Sequence, residues 1–155
     1  MSMIQSDNEL EGRYLHFFID GVIYGLPLSI VLEIMNIQTI TQVPDTADYI
    51  RGVVNLRGKI VPVVDTRTKL GLPTKEFDDK TCIIVVDVED MRIGLIVDSV
   101  SEVVSIDPDT ISAPPTAGDK KTLYLDSVTE FDGKVILNLG IEKFLASDLT
   151  NITTV

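Results

Sequence analysis

Residues 49–65 read YIRGVVNLRGKIVPVVD and decide the fold class that we predict for this chain. Runs of β-branched residues at 53–54 and 60–64 flank the segment 55–59, which is the pattern of a strand, a tight turn and a second strand. Gly58 supplies the positive φ that such a turn needs. Arg57 precedes it, and we expect its guanidinium to project toward solvent or toward a carboxylate. The stretch therefore predicts a rigid hairpin that displays one arginine.

This hairpin has a counterpart later in the chain. When Gly58-Lys59 is aligned with Gly133-Lys134, LRGKIVPVV matches FDGKVILNL, and a slightly shorter offset places Gly25 over Gly94. Internal repeats of this size predict two similar structural units. At the position of Arg57 the second copy has Asp132. The shared glycine and lysine therefore look structural, whereas the arginine looks functional.

The repeat predicts an all-β protein built from two barrels of about five strands each. Glycine and proline in the segment 69–79 interrupt the strand pattern, so we place the first barrel at 13–80 and the second at 81–149. Residues 141–149 carry apolar side chains near helical spacing. They predict one short amphipathic helix at the C-terminal end of the second barrel.

Composition excludes several classes of function. The formal net charge of −11 leaves no basic face for nucleic acid or for an anionic membrane. The single cysteine, Cys82, has no second thiol for an internal disulfide and is interpreted as a small core residue. No apolar run is long enough to span a bilayer, and the polar, acidic N-terminal segment does not resemble a signal peptide. We therefore expect a cytoplasmic protein.

The search for catalytic chemistry yields no candidate residue. The one histidine, His16, excludes a paired-histidine metal site and is interpreted as a surface residue or a satisfied strand residue. The phosphate-binding glycine motifs and the common serine-nucleophile motifs are missing from the sequence. We predict no catalytic residue, no metal site and no cofactor.

Apolar residues recur at matching positions of the two halves, among them Val31 with Val100 and Ile34 with Val103. One interpretation is that all of them belong to the core. The alternative is that some line a groove between the barrels, rimmed by Glu33 and Arg57, which accepts an apolar element of a partner.

The segments YGLPLSIVLEI, NLRG followed by IVPVVD, and IGLIVDSVSEVV resemble the CheW adaptors of bacterial chemotaxis over residues 13–146. The resemblance implies two SH3-like five-stranded barrels in a single CheW-like domain without enzymatic activity. It further implies a scaffold that links the histidine kinase CheA, through the kinase's own CheW-like regulatory domain, to the cytoplasmic tip of chemoreceptors. Such a protein is cytoplasmic and is recruited to receptor arrays at the inner face of the membrane.

Transferred by position, the resemblance implies two contact surfaces. The receptor-binding residues are Val31, Glu33, Ile34, Arg57, Val100 and Val103, and the kinase-binding residues are Val43, Ile50, Gly52 and Gly58. Ser112 and Ala117 lack the basic and aromatic character that the family often shows at a second kinase contact. Two alternatives stay open: a coupler for another motility or sensory kinase, and a β-barrel that binds a small ligand.

Overall fold

The computed structural model describes residues 11–115 and 123–145, and most of these residues lie in strands. The strands coincide with runs of β-branched and aromatic residues, whose side chains pack well on a pleated surface. Within the described residues, helical structure is confined to short segments, including Thr66–Lys69 and the turns Leu28–Ile30 and Pro108–Thr110. The strands are β1 (Arg13–Ile19), β2 (Val22–Pro27), β3 (Val31–Asn36), β4 (Ile50–Leu56), β5 (Lys59–Asp65), β6 (Cys82–Val88), β7 (Met91–Val97), β8 (Ser99–Ser105), β9 (Ile111–Ser112), β10 (Leu125–Phe131) and β11 (Lys134–Leu139).

The strands form two sheets, which confirms the predicted all-β class. Sheet A has the order β8-β1-β2-β11-β10-β9, and sheet B has the order β3-β6-β7-β5-β4. Neighbouring strands are antiparallel except for two pairs, β2 with β11 and β5 with β7. Within the described residues the edges are β8 and β9 in sheet A and β3 and β4 in sheet B.

The internal repeat is confirmed by the strand bounds. The offset that places Gly25 over Gly94 also carries β1 onto β6, and the offset that places Gly58 over Gly133 carries β4 onto β10. Even the parallel contacts correspond, because Val63 opposes Gly94 in sheet B and Asn138 opposes Gly25 in sheet A. The strand order of sheet B is thus the order of sheet A with the two halves exchanged.

The predicted division at residue 80 does not describe the sheets. β1 and β2 from the first half lie in sheet A, while β6 and β7 from the second half lie in sheet B. Each half therefore contributes one hairpin to the sheet of the other. The repeat predicts which strands are equivalent, but it does not predict which strands pair. Each parallel pair joins strands that are far apart in the chain, and the hairpin from either half could form the hydrogen bonds of that pair.

Tight turns with positive φ join the paired strands. The β4–β5 turn has φ of 51° at Arg57 and 85° at Gly58, and the β10–β11 turn has 53° at Asp132 and 74° at Gly133. Two consecutive positive φ values are typical of the type I′ turn, whose twist matches that of the flanking strands. The side chain of Asn55 accepts a hydrogen bond of 2.9 Å from the backbone N–H of Gly58. The predicted hairpin and its conformation at Gly58 are confirmed.

A large apolar cluster, the shared core, unites the two sheets. Alternate residues of β1 and of β6 point into it, because successive side chains of a strand face opposite sides. The helical residues 141–145 cover this cluster, so the predicted helix is confirmed for them, while 146–149 lie outside the described residues. Its members include Leu15, Phe17, Ile19, Leu26, Ile84, Val86, Val88, Ile93, Leu95, Phe144 and Leu145.

The opposite face of sheet B encloses a second apolar cluster, the sheet B core, formed by Val54, Leu56, Val61, Val63, Ile83, Val85 and Ile96. The corresponding interior of sheet A keeps the buried Ile136 but has polar residues at three other buried positions. His16, Thr129 and Asn138 are each no more than 3% exposed, and they occupy the positions of Val85, Val54 and Val63. The interpretation of His16 as a surface or satisfied residue is wrong, since it is buried and its Nε2 has no hydrogen-bond partner among the described residues.

The start of the second hairpin follows from the repeat and not from its local apolar pattern. The sequence pattern favours a strand at 121–125, whereas β10 begins at Leu125 and ends at Phe131, with 121 and 122 outside the described residues. The exposed positions of β10 carry Asp126 and Glu130. These carboxylates interrupt the apolar run by which a strand is usually identified in a sequence.

Candidate partner-binding surfaces

The two edge strands β3 and β8 are equivalent in the repeat and share one irregularity. The pairing of β3 with β6 shifts between Val31 and Glu33, and the pairing of β8 with β1 shifts next to the partner of Glu102. Such β-bulges change the direction of the side chains that follow them. Two residues three positions apart, which would face opposite sides of a regular strand, therefore lie on the same side here.

The bulges place the four predicted apolar groove residues on the faces of β3 and β8 that point toward the shared core. Val31 and Ile34 oppose Val86 and Ile84, which point into the shared core. Val100 and Val103 oppose Phe17 and Leu15, which also point into it. Val31 and Val100 pack against the rim of the shared core, whereas Ile34 and Val103 extend beyond it and are 41% and 37% exposed. We call these four residues the apolar strip.

The two edge strands approach each other at one end of this strip. Cys82 begins β6 opposite Asn36 of β3, and its thiol donates a hydrogen bond of 3.2 Å to the carbonyl oxygen of Lys80. The same thiol lies near the backbone of Val100 on β8. Burial raises the pKa of this thiol, which is only partly exposed and packs against the shared core. The interpretation of Cys82 as a small core residue agrees with this position in part, since the side chain packs against the shared core but is only partly buried.

Glu33 lies on the other face of β3 and pairs with Arg57. Arg57 Nη1 donates to Glu33 Oε2 at 2.8 Å, and Nη2 donates to Oε1 at 2.7 Å. This parallel two-bond geometry is the strongest form of an arginine–carboxylate contact. It lowers the pKa of Glu33, chiefly through the hydrogen bond, and raises the pKa of Arg57. Of the two expected directions for Arg57, toward solvent or toward a carboxylate, the structure shows contact with a carboxylate.

The ion pair also has a structural consequence. β3 is one edge of sheet B, and the β4–β5 turn lies at the other edge, so the contact joins the two edges and closes the barrel. The side chain of Arg57 nevertheless remains 72% exposed. Its guanidinium is thus held in one orientation while its outer face stays available to a partner.

The same position in sheet A has a different chemistry. Glu102 is equivalent to Glu33, but the residue equivalent to Arg57 is Asp132, so the corresponding ion pair cannot form. The two barrels therefore differ in charge at the turn that the sequence comparison singled out. Arg57 and Glu33 make the sheet B side of the apolar strip chemically distinct.

Two of the four predicted kinase-contact residues line a broad cleft on sheet B. Val43 and Ile50 face an open cavity of about 780 Å³. Arg51 crosses its wall, with the guanidinium 3.0 Å from a carboxylate oxygen of Asp65 and 4.8 Å from the ring centre of Phe77. The cleft is lined by Gln38, Ile40, Gln42, Val43, Pro44, Asp45, Thr46, Ala47, Asp48, Ile50, Arg51 and Phe77.

The other two predicted kinase-contact residues have different positions. Gly52 is buried next to the cleft, where its backbone packs against Thr41, and an added Cβ atom would overlap the Thr41 carbonyl oxygen. Gly58 is at the tip of the β4–β5 hairpin, with nothing within 4 Å of an added Cβ atom. The structure therefore groups Gly58 with Arg57 and Glu33, at the opposite end of β4 from Ile50.

Sequence reasoning missed part of both surfaces. Leu32, which adjoins the apolar strip on β3, is 48% exposed. Phe77 and Ile40 line the cleft, although the segment that holds Phe77 has the composition of a linker. The sequence contains a signal for Phe77, since an aromatic residue in a polar linker usually packs against another part of the protein. The partner of that packing, Arg51, depends on tertiary structure.

Ser112 lies on β9 and is exposed, and Ala117 is outside the described residues. Across residues 11–115 and 123–145, no group of three or more His, Cys, Asp or Glu side chains could hold a metal ion. Over the same part of the chain, no helix has the length and apolar character needed to cross a membrane.

With this geometry established, comparison with known proteins identifies the class. The CheW-like domain family matches residues 13–149. The solved structure of the scaffolding protein TtCheW from Thermoanaerobacter tengcongensis superposes with a TM-score of 0.78 at 33% identity, covering 83% of this chain and 88% of that one. The protein belongs to the CheW-like domain family.

Curated relatives agree with this membership. The chemotaxis protein CheW of Klebsiella aerogenes is 34% identical over 137 residues, which cover 88% of this chain and 82% of the relative. CheW of Bacillus subtilis is 37% identical over 110 residues, covering 71% of this chain and 70% of the relative. The predicted SH3-like barrel pair and the predicted family are confirmed.

Proposed function

We propose that this protein is a non-enzymatic chemotaxis adaptor that binds a chemoreceptor tip along the apolar strip and the kinase CheA at the sheet B cleft. The observation that carries the first contact is the strip itself. Ile34 and Val103 are exposed apolar residues on two equivalent edge strands, and both continue a line that begins at the rim of the shared core. An amphipathic receptor helix would bury this line.

The Glu33–Arg57 pair supplies specificity at that surface. Because the pair fixes the guanidinium, little side-chain entropy is lost when a partner carboxylate or carbonyl reaches its exposed face. Charged groups at the rim of an interface set register and association rate more than total affinity. The apolar strip would provide the affinity, and Arg57 would orient the receptor helix.

The cleft supports the kinase contact. It is wide, partly apolar and located on the opposite end of β4 from Arg57, so one adaptor has room for both partners at once. The CheW-like regulatory domain of CheA would present an apolar edge to Val43 and Ile50. Such a scaffold is cytoplasmic and is recruited to receptor arrays by these two contacts rather than by a membrane segment.

Two alternatives remain distinct from this proposal. The same two surfaces would serve a coupler for another motility or sensory kinase, which genomic neighbours would reveal. A barrel that binds a small ligand would require an enclosed pocket with a few convergent polar groups, whereas the cavity of about 780 Å³ is an open cleft. The adaptor function is tested by co-sedimentation of the protein with a receptor fragment and with CheA, in which failure with both partners contradicts it.

Reversal of the charge at Arg57 is expected to weaken receptor capture. In Arg57→Glu, a carboxylate would face Glu33 at the hairpin and repel the partner groups that Arg57 attracts. We expect affinity for the receptor fragment to fall about tenfold, mainly through slower association. The exchange Glu33→Arg with Arg57→Glu restores the pair and should recover part of this loss. Lys59→Glu, the same charge change on the same hairpin, is the control. Equal losses from Lys59→Glu and Arg57→Glu would contradict a specific role.

Substitution in the cleft is expected to separate the two partners. Val43→Asp places a charge on the half-buried wall, and we expect binding of CheA to weaken by roughly 30-fold while binding of the receptor fragment is unchanged. Val135→Asp, on an exposed position of sheet A, is the control and should alter neither. Isothermal titration with each partner measures the effect. Loss of receptor binding in Val43→Asp would argue against two separate surfaces.

A further inference from the structure

The interior of the sheet A barrel contains an unusual buried polar group. His16, Thr129 and Asn138 occupy positions that hold valine in the equivalent sheet B core. The Asn138 amide donates to Thr129 Oγ1 at 2.7 Å and to Ser127 Oγ at 3.0 Å. Asn138 Oδ1 and His16 Nε2 have no hydrogen-bond partner among the described residues. Buried polar atoms without partners destabilise a fold, so their retention calls for an explanation.

His16 is surrounded by residues of neighbouring strands. Its ring meets the edge of Phe131 of β10, with the ring centres 5.4 Å apart. Gly25 of β2 is its partner in the sheet, and a Cβ atom there would lie 3.5 Å from His16 Cδ2 and 2.5 Å from Asn138 Oδ1. Glu102 of β8 lies directly across from it. Among the contacts described, Glu102 is therefore the one charged group that faces the imidazole.

This arrangement resembles an incomplete version of the ion pair in sheet B. There, the glutamate on the edge strand pairs with Arg57. In sheet A the equivalent glutamate is Glu102, the equivalent of Arg57 is Asp132, and the group across from Glu102 that can become a cation is His16. Protonation of the imidazole would supply the positive charge that Glu102 otherwise lacks.

We infer that His16 is a proton-responsive residue that controls the position of edge strand β8, and hence of Val100 and Val103 in the apolar strip. The pairing of β1 with β8 is irregular between His16 and Phe17, and this bulge is what directs Val103 toward the shared-core side. A positive charge that forms on the buried imidazole of His16 is drawn toward Glu102 at the strand edge. The adjacent bulge is the part of the pairing that can adjust.

The direction of the effect follows from burial. Desolvation lowers the pKa of His16 from its ordinary value of 6.5, and the charge of Glu102 opposes this only in part. The unfolded chain therefore takes up a proton at a higher pH than the folded chain. The contribution of His16 to folding stability is complete above the pKa of the unfolded chain and decreases as the pH falls below it.

The proton-coupled movement of β8 is tested by an NMR pH titration of the full chain. The chain has one histidine, so one imidazole titrates. We expect the amide resonances of Val100 and Val103 to titrate with the midpoint of the His16 ring, below its ordinary pKa of 6.5. Val31 and Ile34, their equivalents in sheet B, are internal controls and should not follow it. His16→Gln should abolish the movement of β8, and Glu102→Gln should lower the midpoint of the His16 ring.

Two results would overturn the inference. One is a titration of the His16 ring without any change at Val100 and Val103. The other is a titration of those two amides that persists in His16→Gln. Neither measurement needs a partner, so both decide the inference even if the proposed receptor contact is wrong.

The functional consequence rests on the proposed function. We expect the affinity for a receptor fragment to be about fivefold lower at about pH 5.5 than at about pH 7.5, within the range of typical coupling between sites. His16→Gln should remove this difference while it retains binding at the higher pH. Absence of receptor binding at every pH would reject the receptor contact alone, whereas pH-independent binding by the wild type would reject the coupling of His16 to the strip.

Discussion

Gly52→Ala will destabilise the protein by at least about 3 kcal/mol, a value typical of a steric clash combined with backbone strain. Gly52 has φ of 143°, a conformation that side chains rarely adopt. A methyl group there would overlap the backbone oxygen of Thr41 and lie 2.8 Å from its carbonyl carbon. Since both neighbours are main-chain atoms, they cannot rotate away, and the bridge between Thr41 and Val53 must separate.

Thermal and urea unfolding of Gly52→Ala and Gly58→Ala provide a matched comparison. Gly58 also has a positive φ, of 85°, but nothing lies within 4 Å of an added Cβ. We therefore expect a loss of only about 1 kcal/mol for Gly58→Ala, the cost of the left-handed conformation alone. For a domain of this size, the difference corresponds to a lowering of the melting temperature by roughly 5 °C more in Gly52→Ala.

The comparison also tests the kinase contact that the family resemblance implies for Gly52. If Gly52 acts through the shape of the cleft, loss of kinase binding will accompany loss of stability. Unchanged stability with loss of kinase binding would contradict this structural role and would make Gly52 itself a contact residue. If both alanine variants lose the same amount of stability, the clash with Thr41 is relieved at little cost.

Ile34→Asp will weaken binding of the receptor fragment by about 2 kcal/mol or more, which is roughly 30-fold, if the apolar strip is the docking surface. Ile34 extends beyond the shared core on edge strand β3 and is 41% exposed in the free protein. A carboxylate at this position would be hydrated in the unbound protein but buried beneath a receptor helix. The cost therefore falls on binding rather than on folding.

Val22→Asp is the control for this measurement. Val22 is also on a strand of the repeat and has nearly the same exposure, at 40%, but it lies outside the apolar strip. Fluorescence anisotropy with a labelled receptor fragment measures both affinities, and thermal unfolding verifies that both variants are folded. Wild-type affinity in Ile34→Asp, or an equal loss in Val22→Asp, would reject the strip as the receptor site.

Local physical chemistry made much of this molecule predictable. The positive φ of Gly58 follows from the requirements of a tight hairpin turn, so a glycine between two β-branched runs indicates the turn. The matching hairpins at 50–65 and 125–139 were recognisable because β-branched residues and glycines recur at the same spacing. Glu33 and Arg57 were both selected from the sequence, and the structure joins them directly.

Tertiary structure decided the remainder. The exchange of hairpins between sheets depends on the parallel pairs β2–β11 and β5–β7, whose partners are far apart in the chain, and a local pattern does not specify such a partner. The direction of Ile34 and Val103 depends on bulges, which reverse the alternation that a sequence implies. Burial of His16 depends on Asn138 and Phe131 from distant strands. The sequence by itself thus determined the hairpins and their repetition, because these depend on neighbouring residues, whereas the sheets, the strip and the polar interior depend on contacts between distant parts of the chain.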